Sequence, residues 1–151
     1  MDDYRIEEAT FPRRAVLRKR MKDSLRAMGK LIGGLYGEAG ARRLKPAGPV
    51  FAIYYEKPRD PESVDYEMCL PVEGDDEALE NLDEIGGEAC LRIVWRGSYK
   101  GLSGVYDALS ARVQDGNLGL VAPPREVYVR GPLLGFIRVG LVTEVWFPIR
   151  A

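Results

Sequence analysis

The sequence predicts an α+β fold: duplicated β-α-β-β units whose antiparallel sheet is backed by two helices, with a central ligand cleft. Three observations carry this expectation. A chain of 151 residues that is 46% hydrophobic and 30% charged has the size and composition of one globular domain. Sliding it by 74 residues lays Ala15, Leu17 and Arg18 on Ala89, Leu91 and Arg92, Ser24 and Leu35 on Ser98 and Leu109, and Leu44, Pro49, Tyr54 and Pro58 on Leu118, Pro123, Tyr128 and Pro132. These are 9 identities over 44 positions, where residue frequencies alone give roughly 3. The apolar pattern repeats too: the helical stripe Leu25, Met28, Leu31, Ile32, Leu35 maps onto Tyr99, Leu102, Val105, Tyr106, Leu109. At an offset of 77, YEMCLPV (66–72) lies on TEVWFPI (143–149). The chain therefore reads as a single domain, 1–151, made of two pseudo-repeats at about 4–73 and 86–150.

The elements follow in order. The first half has a strand near 13–20, a helix from about Lys22 to Gly37, and strands at 49–56 and 65–72. The second has a strand near 88–96, a helix from about Tyr99 to Gln114, and strands at 125–130 and 141–149. Asp23 and Ser98 are the expected helix starts, and Gly37 and Gly116 the expected stops. EKPRDPES and RGPLLGFIRVG read as turns between paired strands. The acidic run 73–84 reads as a solvated connector with one short helical turn around Ala78 to Leu82.

Composition excludes whole classes of chemistry. Without histidine there is no Ser-His-Asp or Cys-His machinery and no imidazole metal site, so neither metal nor cofactor is expected. Cys69 and Cys90 form no CxxC and read as buried small hydrophobes. Catalysis, if present, falls to carboxylates. The net charge of −1 conceals +6 over residues 1–45, −11 over 46–88 and +4 over 89–151. In the basic stretch, Lys22, Arg26 and Lys30 occupy the solvent side of an amphipathic helix, so direct nucleic-acid binding is not expected. No apolar run reaches the roughly 20 residues of a membrane span. The N-terminus lacks the apolar core of a secretory signal, which makes a cytoplasmic location the expectation.

Strand alternation then sorts side chains by face. Glu126 and Tyr128 point one way in REVYVR, and Glu144 and Trp146 share a face in TEVWFPI, opposite Val145, Phe147 and Ile149. If the Val/Phe/Ile face packs on the helices, Glu126, Tyr128, Glu144 and Trp146 line the other, with Ala52, Tyr54, Glu56, Glu67 and Cys69 matching them in the first half. Carboxylates beside aromatic walls suit flat, lipophilic or cationic molecules. The plainer alternative is that Glu126 and Glu144 pair with Arg125, Arg130 or Arg150 on an exposed sheet face.

GSYKGLSGVYDAL (97–109), PPREVYV (123–129) and TEVWFPI (143–149), with PVFAIYYEKP (49–58) and YEMCLPV (66–72) upstream, resemble the GyrI-like small-molecule-binding domain, also the effector-binding domain of MerR-type and AraC-type multidrug regulators. The resemblance runs from about Tyr4 to Arg150. It implies a cleft for lipophilic, often cationic, aromatic compounds, with Glu126 as the pocket acid, Glu144 and Trp146 beside it, and Tyr54, Tyr99 and Tyr106 as further wall residues. The chain departs from those regulators in that its first expected strand starts within about 15 residues, so a stand-alone binder for multidrug binding, sensing or sequestration, without a DNA-binding domain ahead of that strand, is the expectation. A second function implied by the resemblance is hydrolysis of strained cyclopropane-containing alkylating compounds, with Glu126 and Glu144 as the acid/base pair. A third is inhibition of DNA gyrase through an acidic surface such as 73–84. A transcription regulator or gyrase would then be the protein partner.

Overall fold

The computed structural model describes residues 4–56, 62–130 and 140–150. Its elements are β1 (Glu7–Thr10), β2 (Arg14–Asp23), α1 (Met28–Ala41), β3 (Lys45–Pro46), β4 (Phe51–Tyr54), β5 (Val64–Glu73), α2 (Asp76–Leu79), β6 (Asp83–Ile85), β7 (Ala89–Arg96), α3 (Leu102–Asp115), β8 (Arg125–Arg130) and β9 (Val142–Pro148). Every described strand pairing is antiparallel, and the fold is mixed α+β. The chain divides into two compact units, Pro12–Gly86 and Met1–Phe11 with Gly87–Ala151.

In the unit Pro12–Gly86, β5 pairs with β2 and β4, β6 pairs with β2, and the short β3 adds to the end of β5. The helix α1 turns Met28, Ile32, Leu35 and Ala39 inward, the spacing of one helix face. In the other unit the order is β1-β7-β9-β8. There Leu102, Val105 and Leu109 of α3 pack on Leu91 and Ile93 of β7 and on Val145, Phe147 and Ile149 at β9. Thus the Val/Phe/Ile face does meet the helix.

Several boundaries differ from expectation, each for a local reason. Strand β2 continues to Asp23 because Met21, Lys22 and Asp23 still pair with Tyr66, Asp65 and Val64. Ser24 then accepts from Arg26 N and caps a 3₁₀ turn, Leu25–Ala27, so α1 starts later than Lys22. Gly37 does not stop α1, since the inward stripe continues to Ala39. The helix ends where Arg43 takes a left-handed φ of 58° and Leu44 N–H bonds the Ala39 carbonyl. At the other helix, Gly116 is the C-cap as expected.

The acidic run is structured rather than a free connector. Asp75 caps α2, which starts two residues ahead of the expected turn, and Asp83 and Glu84 belong to β6 on the flank of β2. The strands β1, β3 and β6 have no counterpart in the sequence reading, being too short for alternation to register. Of the expected connectors, 57–61 and 131–139 lie outside the described residues, as do Pro58 and Pro132. Cys69 and Cys90 are buried thiols. Burial pushes the Cys90 thiol up to about 11, so it keeps its proton at neutral pH. No described helix is long and apolar enough to cross a membrane.

Candidate functional site

The register of β8 on β9 decides the site. Glu126 lies opposite Val145 and Tyr128 opposite Thr143, while Val127 lies opposite Glu144 and Arg125 opposite Trp146. Directly opposed residues share a face. Glu126 and Tyr128 therefore stand with Val145 on the α3 side, and Glu144 and Trp146 stand on the reverse side. The expected grouping of all four on one face is thereby corrected: alternation orders faces within each strand, but the phase between strands belongs to the register.

On the α3 side, the Glu126 carboxyl is 8% exposed. Tyr106 of α3 donates to its Oε2 at 2.6 Å, and Tyr128 donates to Oε1 at 2.8 Å. Among the described residues no ion pair reaches it. Burial pushes its pKa above the ordinary carboxylate value, and the two tyrosine hydrogen bonds only partly offset that cost. Tyr99, in the 3₁₀ turn that leads into α3, sets its ring edge-on to Tyr128 at 6.3 Å between centroids. Burial, then the Glu126 charge, raises the Tyr99 phenol. Tyr106 also leans on Phe147 at 5.7 Å. Both Tyr99 and Tyr106 are half-buried, so they form the outer part of the cluster.

Local sequence explains why the first turn of α3 sits there. Trp95 of β7, opposite Thr143, donates its Nε1–H to Ser98 O at 2.8 Å. Its ring occupies the space where a Cβ on Gly101 would be. A glycine at 101 lets the helix start close onto the tryptophan, which carries Tyr99 toward Tyr128.

On the reverse side, Trp146 packs edge-on to Phe11 at 5.0 Å and lies beside the Arg92 guanidinium at 5.1 Å, while its Nε1–H donates to Glu144 at 3.0 Å. Arg125 makes two hydrogen bonds to Glu88, at 3.0 and 2.7 Å. Hence Arg125, one of the three arginines of the plainer alternative, is taken up by Glu88 rather than by Glu126 or Glu144. Glu126 and Glu144, on opposite faces, are not assembled as an acid/base pair.

In the unit Pro12–Gly86 the same rule applies. Ala52 and Tyr54 lie opposite Met68 and Tyr66, whereas Glu67 lies opposite Ile53, so Tyr54 and Glu67 occupy opposite faces. Tyr54 stacks on Tyr66 at 6.2 Å. Glu67, 4% exposed, receives Arg18 Nε at 2.5 Å and Nη2 at 2.8 Å, and the Tyr55 hydroxyl at 2.5 Å. Burial alone would raise its pKa, but the hydrogen bonds from Arg18 and Tyr55 win and hold it below the ordinary carboxylate value. Sequence reasoning passed over Arg18 and Thr143. The signal for Thr143 was a hydroxyl two residues before Val145, on an otherwise apolar face.

Comparison with known proteins adds to this geometry. The model of a GyrI-like small molecule binding domain matches residues 2–150. The crystal structure of the EcmrR C-terminal domain superposes with a TM-score of 0.81 at 23% identity, covering 97% of this chain and 98% of that one. The chain spans 57% of the EcmrR chain seen in its complex with DNA, again at a TM-score of 0.81 and 23% identity. A hydrolase from Listeria innocua has a TM-score of 0.71 at 13% identity over 96% of this chain and 91% of that one. SAV2435 bound to tetraphenylphosphonium has a TM-score of 0.57 at 12% identity over 99% of this chain and 95% of that one. No curated protein matches the chain.

Proposed function

The chain belongs to the family of GyrI-like small molecule binding domains, and from that premise we propose that it binds lipophilic cationic or planar aromatic compounds at Glu126, with Tyr99, Tyr106 and Tyr128 as the aromatic wall. One observation carries the reading. Glu126 is a carboxyl 8% exposed whose hydrogen bonds, among the described residues, come from tyrosine hydroxyls and not from a guanidinium or ammonium. A buried carboxylate without a cation is costly, and a ligand cation supplies the missing charge while its apolar surface gains ring contact. Glu126 is the anchor, Tyr106 and Tyr128 orient its two oxygens, and Tyr99 stands at the outer edge.

The tetraphenylphosphonium complex of SAV2435 supports this class of ligand at the level of a shared fold. Binding, sensing or sequestration of such compounds is the proposed role. A cyclopropane-opening hydrolysis using Glu126 with Glu144 is not supported, because the β8–β9 register sets the two acids on opposite faces. A fluorescence titration with ethidium tests the reading. A saturable change that tetraphenylphosphonium competes away is expected, whereas a linear, non-competed signal would overturn it.

A further inference from the structure

Two hydroxyls on the Glu126 side have no hydrogen-bond partner among the described residues. Tyr99 Oη and Thr143 Oγ1 are both shut off from solvent, and within that set neither makes a hydrogen bond. Thr143 is 0% exposed. Both belong to the Glu126 side: Thr143 lies opposite Tyr128 in the ladder, and the Tyr99 ring stands edge-on to Tyr128, whose hydroxyl bonds Glu126. Buried polar groups are nearly always hydrogen-bonded, and an orphan costs free energy that nothing in the free protein returns. Two orphans on the side that carries Glu126, both beside Tyr128, point to a partner that arrives from outside.

We propose that the ligand anchored by Glu126 also carries a hydrogen-bonding group that engages Tyr99 Oη and Thr143 Oγ1, so that the site selects planar cations bearing amino or carbonyl substituents over cations with no hydrogen-bonding atom. This rests on Glu126 as the ligand anchor. Each hydroxyl can donate to a carbonyl or accept from an amino group. A bare lipophilic cation satisfies the carboxylate and leaves both hydroxyls unpaired. Reaching them requires the half-buried Tyr99 ring to shift, which places Tyr99 as the specificity-determining residue.

The test compares 9-aminoacridinium with 10-methylacridinium, two planar monocations of which only the first has N–H donors. Wild type should bind the amino compound roughly 5- to 10-fold more tightly. In the Tyr99→Phe/Thr143→Val double variant that preference should fall below about 2-fold, while Thr143→Ser, which keeps a hydroxyl, should retain it. Because Thr143→Val removes an orphan, the free variant should melt about 2–4 °C higher than wild type. A lower melting temperature for Thr143→Val, or a preference that persists in the double variant or is missing from wild type, would overturn this inference. If Glu126→Gln meanwhile weakens both cations, the anchor reading stands without it. If Glu126→Gln weakens neither, the anchor reading fails, and this inference with it.

Discussion

Glu67 on β5 and Glu126 on β8 are buried acids of the two compact units, at 4% and 8% exposure, yet they are held in opposite ways. Arg18 grips Glu67 through two hydrogen bonds, and Tyr55 adds a third. Among the described residues Glu126 meets only Tyr106 and Tyr128. The result is a carboxyl held below its ordinary pKa in one unit and above it in the other. A paired buried charge is a closed structural unit, whereas a buried carboxyl bonded only by hydroxyls retains a demand for positive charge. The position 74 residues before Glu126 is Ala52, 0% exposed, so the Pro12–Gly86 unit has no acid at the matching strand site.

The comparison can be broken most forcefully at Glu67. Glu67→Ala removes the buried carboxylate that takes two hydrogen bonds from Arg18, leaving that guanidinium only its longer 3.6 Å pair with Asp83, and removes the acceptor of Tyr55; it should cost about 3 kcal/mol of stability by urea unfolding at neutral pH. A loss under about 0.5 kcal/mol would show that the pair is only a surface contact. Its pH dependence has a defined sign. The native pKa of Glu67 is lowered, so its contribution is present above the ordinary carboxylate value and fades as pH falls through the native one. The gap between wild type and Glu67→Gln should therefore shrink in acid.

A smaller effect is expected at the helix starts. Gly101→Ala drives a methyl into the Trp95 ring and should cost about 1–3 kcal/mol. The reverse exchange at the matching position, Ala27→Gly, should cost under about 1 kcal/mol in the same unfolding assay. Equal costs would mean that Trp95 does not fix the turn that carries Tyr99.

The smallest effect is Glu126→Gln on the free protein. Here the native pKa is raised, so stability is fullest below the ordinary carboxylate value and declines as pH rises through the native one. Glu126→Gln should match wild type in acid and exceed it by about 1 kcal/mol or less at alkaline pH. A variant less stable than wild type throughout would contradict the burial cost assigned to the carboxyl.

Much of this was legible in the sequence. Periodicity located the two long helices and six of the strands, because each buries a regular apolar stripe. GSYKGLSGVYDAL and PPREVYV located Glu126, Tyr128, Tyr99 and Tyr106, which the structure gathers around one carboxyl. What sequence alone did not supply was the phase between strands. Glu126 and Tyr128 were correctly read as sharing a face, as were Glu144 and Trp146, yet nothing local to either strand says that Glu126 lies opposite Val145. The same gap joined Tyr54 to Glu67, which the pairing of Ile53 with Glu67 separates. The helix ends were misread where tertiary pairing overrode local signals: Gly37 lies within α1, and Lys22 lies within β2.

The central claim is that Glu126, which no ion pair reaches among the described residues, meets a ligand's positive charge. Its most direct test is the affinity of a cationic dye and a neutral aromatic of similar shape for wild type, Glu126→Gln and Glu67→Gln. Glu126→Gln should weaken the cation at least about tenfold and the neutral compound less than about twofold, and folded Glu67→Gln should change neither by more than about twofold. Equal weakening of cation and neutral compound by Glu126→Gln, or a cation-selective loss in Glu67→Gln alone, would contradict it.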